Sequence, residues 1–358
     1  MLEQQKYFMN NHSSFEFSNA LSLCERGDEQ GLRSLLAQNP HVATEKDSRE
    51  RTLLIHALER GQAGCAMALI PRSTAQRINK LSLTPLMIAA SQGLGACVAA
   101  LIPLSEIDAT DSCGMTALMI AAKMGRAECI KFLLACAKKN LADKRGASAL
   151  IIALEQGHAD CAKILAAVSD TSMIPKNGLS ALSVAAKMKS PEALSMILPH
   201  CDAKEASPDG WTALMWAAIQ NKREHLDLLI PSSEISAKNK SGDSALLIAA
   251  SCGHLRIVQA LVPLCDPNMA NSSGLTALME AASLGHAECV DALLPVSDCK
   301  IRTQAWGGKT AAELARHHGE YAIAAQIEAF EQAASERIDL GASTADSPAH
   351  QGKGARRL

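Results

Sequence analysis

The sequence predicts an all-α solenoid of about ten helix-turn-helix units joined by short β-hairpin-like loops, on three observations. A hydroxyl residue placed to cap a helix returns at Thr52, Thr84, Thr116, Ser148, Ser180, Thr212, Ser244, Thr276 and Thr310, at intervals of 32 residues and finally 34. A turn residue keeps nearly the same period: Gly27, Gly61, Gly93, Gly125, Gly157, Gly253, Gly285 and Gly319, with Lys189 and Asn221 in the two intervening places. The chain is 48% hydrophobic yet only 3% aromatic, so its interior must be built from Ala, Leu, Ile, Met and Cys, which suits short helices stacked closely.

The unit is clearest from Asn271 to Pro295, NSSGLTALMEAASLGHAECVDALLP. Thr276 stands just before the apolar run Ala277, Leu278, Met279, Ala281 and Ala282, which a helix gathers mostly on one side. Its hydroxyl is placed to accept from a first-turn N–H that has no helical partner. Gly285 can take the positive φ that a reversal between two helices needs. Ala287, Cys289, Val290, Leu293 and Leu294 then recur at helical spacing until Pro295, which cannot continue the hydrogen-bond ladder and predicts the stop.

These residues resemble the ankyrin repeats. The resemblance rests on the D-x-x-G-x-T-A-L turn and cap at Asp111 to Leu118, closely repeated at Asn239 to Leu246. It rests equally on the G-H-x-x-x-V-x-x-L-L second helix, at Gly253 to Val262 and Gly285 to Leu294, and it covers residues 18 to 330. The period is one residue shorter than the family's usual value of about 33. The family's T-P-L-H becomes T-A-L-M at Thr116 to Met119, Thr212 to Met215 and Thr276 to Met279, with the proline kept at Pro85. Without that histidine the family's Thr–His hydrogen-bond network is not expected here.

In chain order, residues 1–17 carry scattered aromatics without periodicity and read as a partly disordered N-terminal extension. The solenoid is expected over 18–337, opening with a degenerate capping pair from Ser18 to Gln38 around Gly27. Glu50 and Ser82 stand where a hairpin glycine is usual, so those two hairpins are expected to be less regular. The middle repeats lose the pattern: no proline stop follows Ala162 to Ala167, and Lys189-Ser190-Pro191-Glu192 replaces the inter-helix glycine turn. Ser190 can cap there and Pro191 suits a first helical position, while a local loosening is expected over 165–195. A polar helix from Glu320 to Arg337 closes the array, and 338–358 read as a disordered tail.

Charge narrows the function classes. The 35 basic and 37 acidic residues are mixed along the chain for a net charge of −2, which advertises neither nucleic acid nor an anionic membrane. No apolar run approaches the roughly 20 residues of a membrane span, so no membrane insertion is expected. Cys65, Cys97, Cys129, Cys161 and Cys289 share one repeat position and read as core thiols, since neighbouring helices lie roughly 8–10 Å apart, beyond disulfide reach. The expected setting is a reducing one, the cytoplasm.

Standard catalytic and cofactor motifs are missing: there is no H-E-x-x-H, C-x-x-C, phosphate-binding glycine loop or G-x-S-x-G. His158, His254 and His286 follow the inter-helix glycine, where the family places a structural histidine. His317 and His318 are adjacent, so their side chains are expected to diverge rather than share a metal. The reading calls for no cofactor, no metal, no small-molecule substrate and no enzymatic activity.

What the resemblance implies is a protein-interaction module whose hairpin tips and first helices form a concave binding face. Positions four, three and one before the cap, and seven and eight after it, project there. They hold Arg49, Arg51, Leu81, Leu83, Gln92, Met115, Met124, Arg145, Gln156, Leu179, Met188, Trp211, Gln220, Leu275 and Leu284, and Trp216 lies a turn beyond Trp211. Exposed apolar residues need a reason, and Trp is enriched in binding hot spots, which makes Trp211 the expected anchor. The partner is expected to be a protein engaged by a monomer acting as a scaffold. The alternatives are a regulator or secreted effector that occludes a target enzyme with the same face and, less favoured, a nucleic-acid binder using Arg49, Arg51, Lys80, Lys123, Lys144, Arg145, Lys176 and Lys187.

Overall fold

A computed structural model describes residues 15–72, 83–304 and 306–345, with side chains to residue 336. Lys80, Leu81 and Ser82, and the expectations resting on them, lie outside the described residues. The chain divides into two compact units, Met1–Pro208 and Asp209–Leu358. Each is an all-α stack of repeated helix pairs, the solenoid-like architecture the period predicts. Among the described residues β pairing is confined to isolated bridge residues at the hairpins, as in the antiparallel bridge between Lys46 and Thr52.

The first unit contains α1 (15–26), α2 (Glu29–Gln38), α3 (Leu53–Glu59), α4 (Ala63–Leu69), α5 (Pro85–Gln92), α6 (Gly95–Leu101), α7 (Ala117–Lys123), α8 (Ala127–Leu134), α9 (Ala149–Glu155), α10 (Ala159–Ala166), α11 (Ala181–Lys187) and α12 (Pro191–Ile197). First helices pack on first helices, α3 on α5, α5 on α7, α7 on α9 and α9 on α11, while α4, α6, α8, α10 and α12 form a second layer in the same order. The second unit repeats this with α13 (Ala213–Ile219), α14 (Arg223–Leu229), α15 (Ala245–Ser251), α16 (Leu255–Leu261), α17 (Ala277–Ser283), α18 (Ala287–Leu293), α19 (Ala311–His317) and α20 (Tyr321–Ala345). The first described helix already includes Phe15 and Phe17, and the last continues past the boundary expected at 337.

All nine predicted hydroxyl residues are N-caps, and every one except Thr52 accepts a backbone N–H three residues on, as Thr116 does from Met119 at 3.3 Å. Where the family's histidine is replaced, Met279 partly substitutes: its Sδ accepts from the Thr276 N–H at 3.5 Å, reciprocating the cap. The core is set by the periodic apolar positions. In the pair α7–α8, Ala117, Leu118, Met119, Ala121, Ala122, Cys129, Ile130 and Leu133 are buried, and each of the larger side chains contributes roughly 1.5–3 kcal/mol against exposure. The proline stop differs in detail from the expectation. After Leu69, Leu101, Ile197 and Leu261 the α-helix gives way to a single 3₁₀ turn with Pro71, Pro103, Pro199 or Pro263 at its second residue, because i→i+3 bonding tolerates the missing N–H there.

The irregular stretches keep the helix pairs of their counterparts. Glu50 takes φ 62° in the glycine's place, and the hairpin around it keeps the hydrogen bonds of its counterparts, so the lower regularity expected there is not found. Ser190 caps α12 by accepting from Glu192 N–H at 3.3 Å with Pro191 at the first helical position, as its sequence predicts. Asn221 adopts φ 55° in the missing glycine's place.

Candidate functional site

The hairpin tips are shaped by one side chain. Five residues before the cap an Asp or Asn accepts two backbone N–H groups on a single oxygen: Asp111 Oδ1 takes Cys113 and Met115, both at 2.8 Å, and Asn271 Oδ1 takes Ser273 and Leu275, both at 3.0 Å. Successive tips are then joined by one backbone bond, Lys144 N–H to Cys113 O at 3.1 Å and Lys176 N–H to Arg145 O at 2.9 Å in the first unit, and Ser272 N–H to Ser241 O at 2.9 Å in the second. This row holds the residue before each cap beside the solvent side of the first helix. Arg51 shows the neighbourhood directly, pairing with Asp47 at 3.0 Å and with Glu59 at 3.2 Å.

The predicted site residues lie on or near this surface. Arg49, Gln92, Met124, Arg145, Gln156 and Leu284 are exposed, while Arg51, Leu83, Met115, Leu179, Met188, Trp211, Trp216, Gln220 and Leu275 are half-buried. Some are committed to intramolecular bonds. Gln92 donates to the Glu59 carbonyl at 3.3 Å, and Arg145 bridges Asp143 and Glu155 at 3.1 and 3.2 Å. Burial raises the Asp143 carboxyl, but the N–H groups of Ala147 and Arg145 and the Arg145 guanidinium outweigh it and hold it low.

One place on the first unit's face gathers several of them. Gln156, Leu179 and Met188 line a cleft of about 630 Å³ with Leu154, Val184 and Lys187. A second groove of about 420 Å³, lined by Lys144, Arg145, Ala147, Pro175, Lys176 and Asn177, shares Glu155 with it. The cleft has a local cause. In several repeats a long polar residue after the inter-helix glycine reaches back over the preceding repeat: His158 Nε2 lies 3.1 Å from the Lys123 carbonyl, and Arg126 Nε donates to the Ser91 carbonyl at 3.1 Å. In the second unit His254 and His286 do the same to Ile219 and Ser251, at 3.1 and 3.0 Å. These side chains cover the earlier glycine so closely that a Cβ on Gly125 would stand 2.8 Å from His158. Ser190 occupies that position in the variant repeat, is too short to reach back, and spends its hydroxyl on α12. Gly157 is left with only Met188 Cε, at 3.9 Å from a Cβ there, and the cleft opens beside it.

Sequence reasoning missed this consequence although the column Arg126, His158, Ser190 was readable, because the space depends on a glycine one repeat earlier. In the second unit the rings of Trp211 and Trp216 pack together with centroids 4.7 Å apart. Glu280, on the same side of its repeat, has its carboxyl raised by burial and by Asp243. His317 and His318 do not diverge as expected. Their rings lie edge to face at 5.2 Å, and both edge against the exposed Trp306 at 6.3 and 6.0 Å, because the two-residue insertion brings Trp306 to them.

All twelve cysteines are free, the five at the shared repeat position are fully buried, and burial pushes the Cys129 thiol up to about 11. Among the described residues no three His, Cys, Asp or Glu side chains are grouped to hold a metal ion, and no helix is long and apolar enough to cross a membrane.

The profile of the family described as ankyrin repeats (3 copies) matches residues 21–111, 89–173, 167–239, 182–269, 220–305 and 246–327. No curated protein matches the chain as a relative. The capped helix pairs, the tip-to-tip bonds and these matches agree, and the chain belongs to the ankyrin-repeat family, whose members are generally protein–protein interaction modules.

Proposed function

We propose that the chain is a non-catalytic interaction module that takes a partner protein on the face formed by the hairpin tips and the solvent side of the first helices. The observation that carries this reading is the cleft at Gln156, Leu179 and Met188, where apolar side chains stay at the surface although the helix pairs beneath them are fully packed. Met115 and Met124 repeat the pattern two repeats before Leu179 and Met188, and Trp211 with Trp216 offers an aromatic surface in the second unit. The module acts as a monomer in a reducing compartment such as the cytoplasm, a setting supported by buried, protonated thiols.

The test is affinity capture from the source cell with wild type, Met188→Ala and Trp211→Ala in parallel, each checked for fold by circular dichroism. A protein held by wild type and lost by either variant assigns the face. Equal capture by all three moves the contact to the opposite side or the termini. A scaffold and an effector that occludes an enzyme use the same face, and inhibition of the captured protein separates them. The nucleic-acid alternative is weakened because Arg51 and Arg145 are already paired with carboxylates.

A further inference from the structure

The two grooves that meet at Glu155 differ in charge from the rest of the molecule. Their lining carries Lys144, Arg145, Lys176, Lys187 and Lys189 against the single carboxylate of Glu155, on a chain whose net charge is −2. Glu155 is answered by Arg145 at 3.2 Å, and Lys144, Lys176, Lys187 and Lys189 complete the basic part of the lining. Lys176 is held at the rim, its ammonium donating to the Lys144 carbonyl at 2.9 Å. The floor is apolar, formed by Leu154, Leu179, Val184 and Met188. A cationic rim over an apolar floor selects a ligand with the opposite arrangement.

Resting on the protein-binding reading of this face, we propose that the joined grooves seat an extended acidic segment of a partner protein. Its apolar side chain enters the cleft beside Gly157 and its carboxylates lie over Lys144, Lys176, Lys187 and Lys189. Ser190 stands where Arg126 and His158 reach back in the two repeats before it, so the array lacks that bridge beside its basic grooves. A nucleic-acid strand suits the grooves less well. Neither lining includes an aromatic ring on which bases stack, and the Glu155 carboxylate stands in the wall common to both.

The test selects random displayed peptides of about twelve residues, long enough in extended form to cross both grooves, on the immobilised full-length chain. Enriched peptides are synthesised with a fluorescent label and titrated by anisotropy against wild type, Ser190→His and Lys144→Glu/Lys176→Glu. The expected result is enrichment of Asp and Glu flanking Leu, Ile, Met or Phe, with binding weakened about tenfold or more by each variant and by changing the acids to their amides. Peptides lost on Ser190→His but neither acidic nor sensitive to the lysine reversals overturn the acidic partner while leaving the protein-binding face intact. Peptides indifferent to every substitution, or no enrichment at all, overturn both. Tighter binding of a labelled single-stranded DNA of about 20 nucleotides, lost on the lysine reversals, replaces the peptide with nucleic acid. Ser190→His surrenders a helix cap, so circular dichroism accompanies it. The lysine reversals alter exposed side chains and give up one surface hydrogen bond, so circular dichroism accompanies them too, and they carry the test should Ser190→His fail to fold.

Discussion

Asp47 shows how much one side chain organises. Its Oδ1 accepts the N–H groups of Arg49 and Arg51 at 2.8 and 2.9 Å, and its Oδ2 meets the Arg51 guanidinium and His56 Nε2 at 3.0 and 3.1 Å. Burial alone raises this carboxyl, but the donors from Arg51, Arg49 and His56 outweigh it and hold it at about 2. The folded value lies below the unfolded one, near 4, so the stability it contributes is present above about pH 4 and is lost as pH falls toward 2. Asn239 and Asn271 make the same turn with an amide oxygen, so Asp47→Asn keeps the two backbone bonds of the hairpin and removes the charge together with the second acceptor that faces Arg51 and His56. We expect the variant to lose about 1 kcal/mol or less at pH 7, since water screens the pair, and to show a shallower stability loss between pH 4 and pH 2 in urea titrations. An unchanged acid limb would show that the charge contributes nothing. The same turn explains a limit of sequence reading. Glu50 looked like a defect, yet the bonds from Asp47 hold φ 62° without a glycine.

At the scale of the element, the inter-helix turn carries both a backbone requirement and a packing requirement, and the two separate cleanly. Gly61 (φ 72°) and Gly253 (φ 71°) both sit in the left-handed region, but a Cβ on Gly61 meets nothing within 4 Å, whereas one on Gly253 would stand 2.6 Å from the Nδ1 of His286. Gly61→Ala is expected to cost about 1 kcal/mol from left-handed strain alone. Gly253→Ala is expected to cost more, because the imidazole must also leave its 3.0 Å contact with the Ser251 carbonyl. Equal denaturation midpoints for the two variants would remove the inter-repeat bridge from the account. Helices, caps and turn positions were legible because each depends on residues within a few places along the chain. The cleft was not, because the side chain absent at Ser190 would have packed against Gly157 in another repeat. The pairing of His317 and His318 with Trp306 was hidden for the same reason, since an insertion ahead of the helix brings the indole to the two rings.

Across the molecule, stability in a repeat array is close to a sum of repeat terms and nearest-neighbour terms, so a repeat that lacks a bridge is the place where an opening starts. Within the first unit, α8 is tied back to α5 by Arg126 and α10 to α7 by His158. The Ser190 hydroxyl instead secures the start of its own helix. The trade leaves α12 locally well formed but its repeat less firmly coupled to the one before it. Native-state hydrogen exchange is therefore expected to show the amides of α11 and α12 opening together, at lower free energy than those of α7 and α8, by roughly the 0.5–1.5 kcal/mol of one hydrogen bond. Had the variant turn simply been disordered, α12 would exchange first and alone, starting at Glu192, its first residue with an amide hydrogen. If all four helices exchange with one free energy, the packing of α9 on α11 and α10 on α12 makes up for the missing bridge. The cleft beside Gly157 would then be a rigid feature, already shaped before any partner arrives, and binding there would carry no cost of ordering α11 and α12.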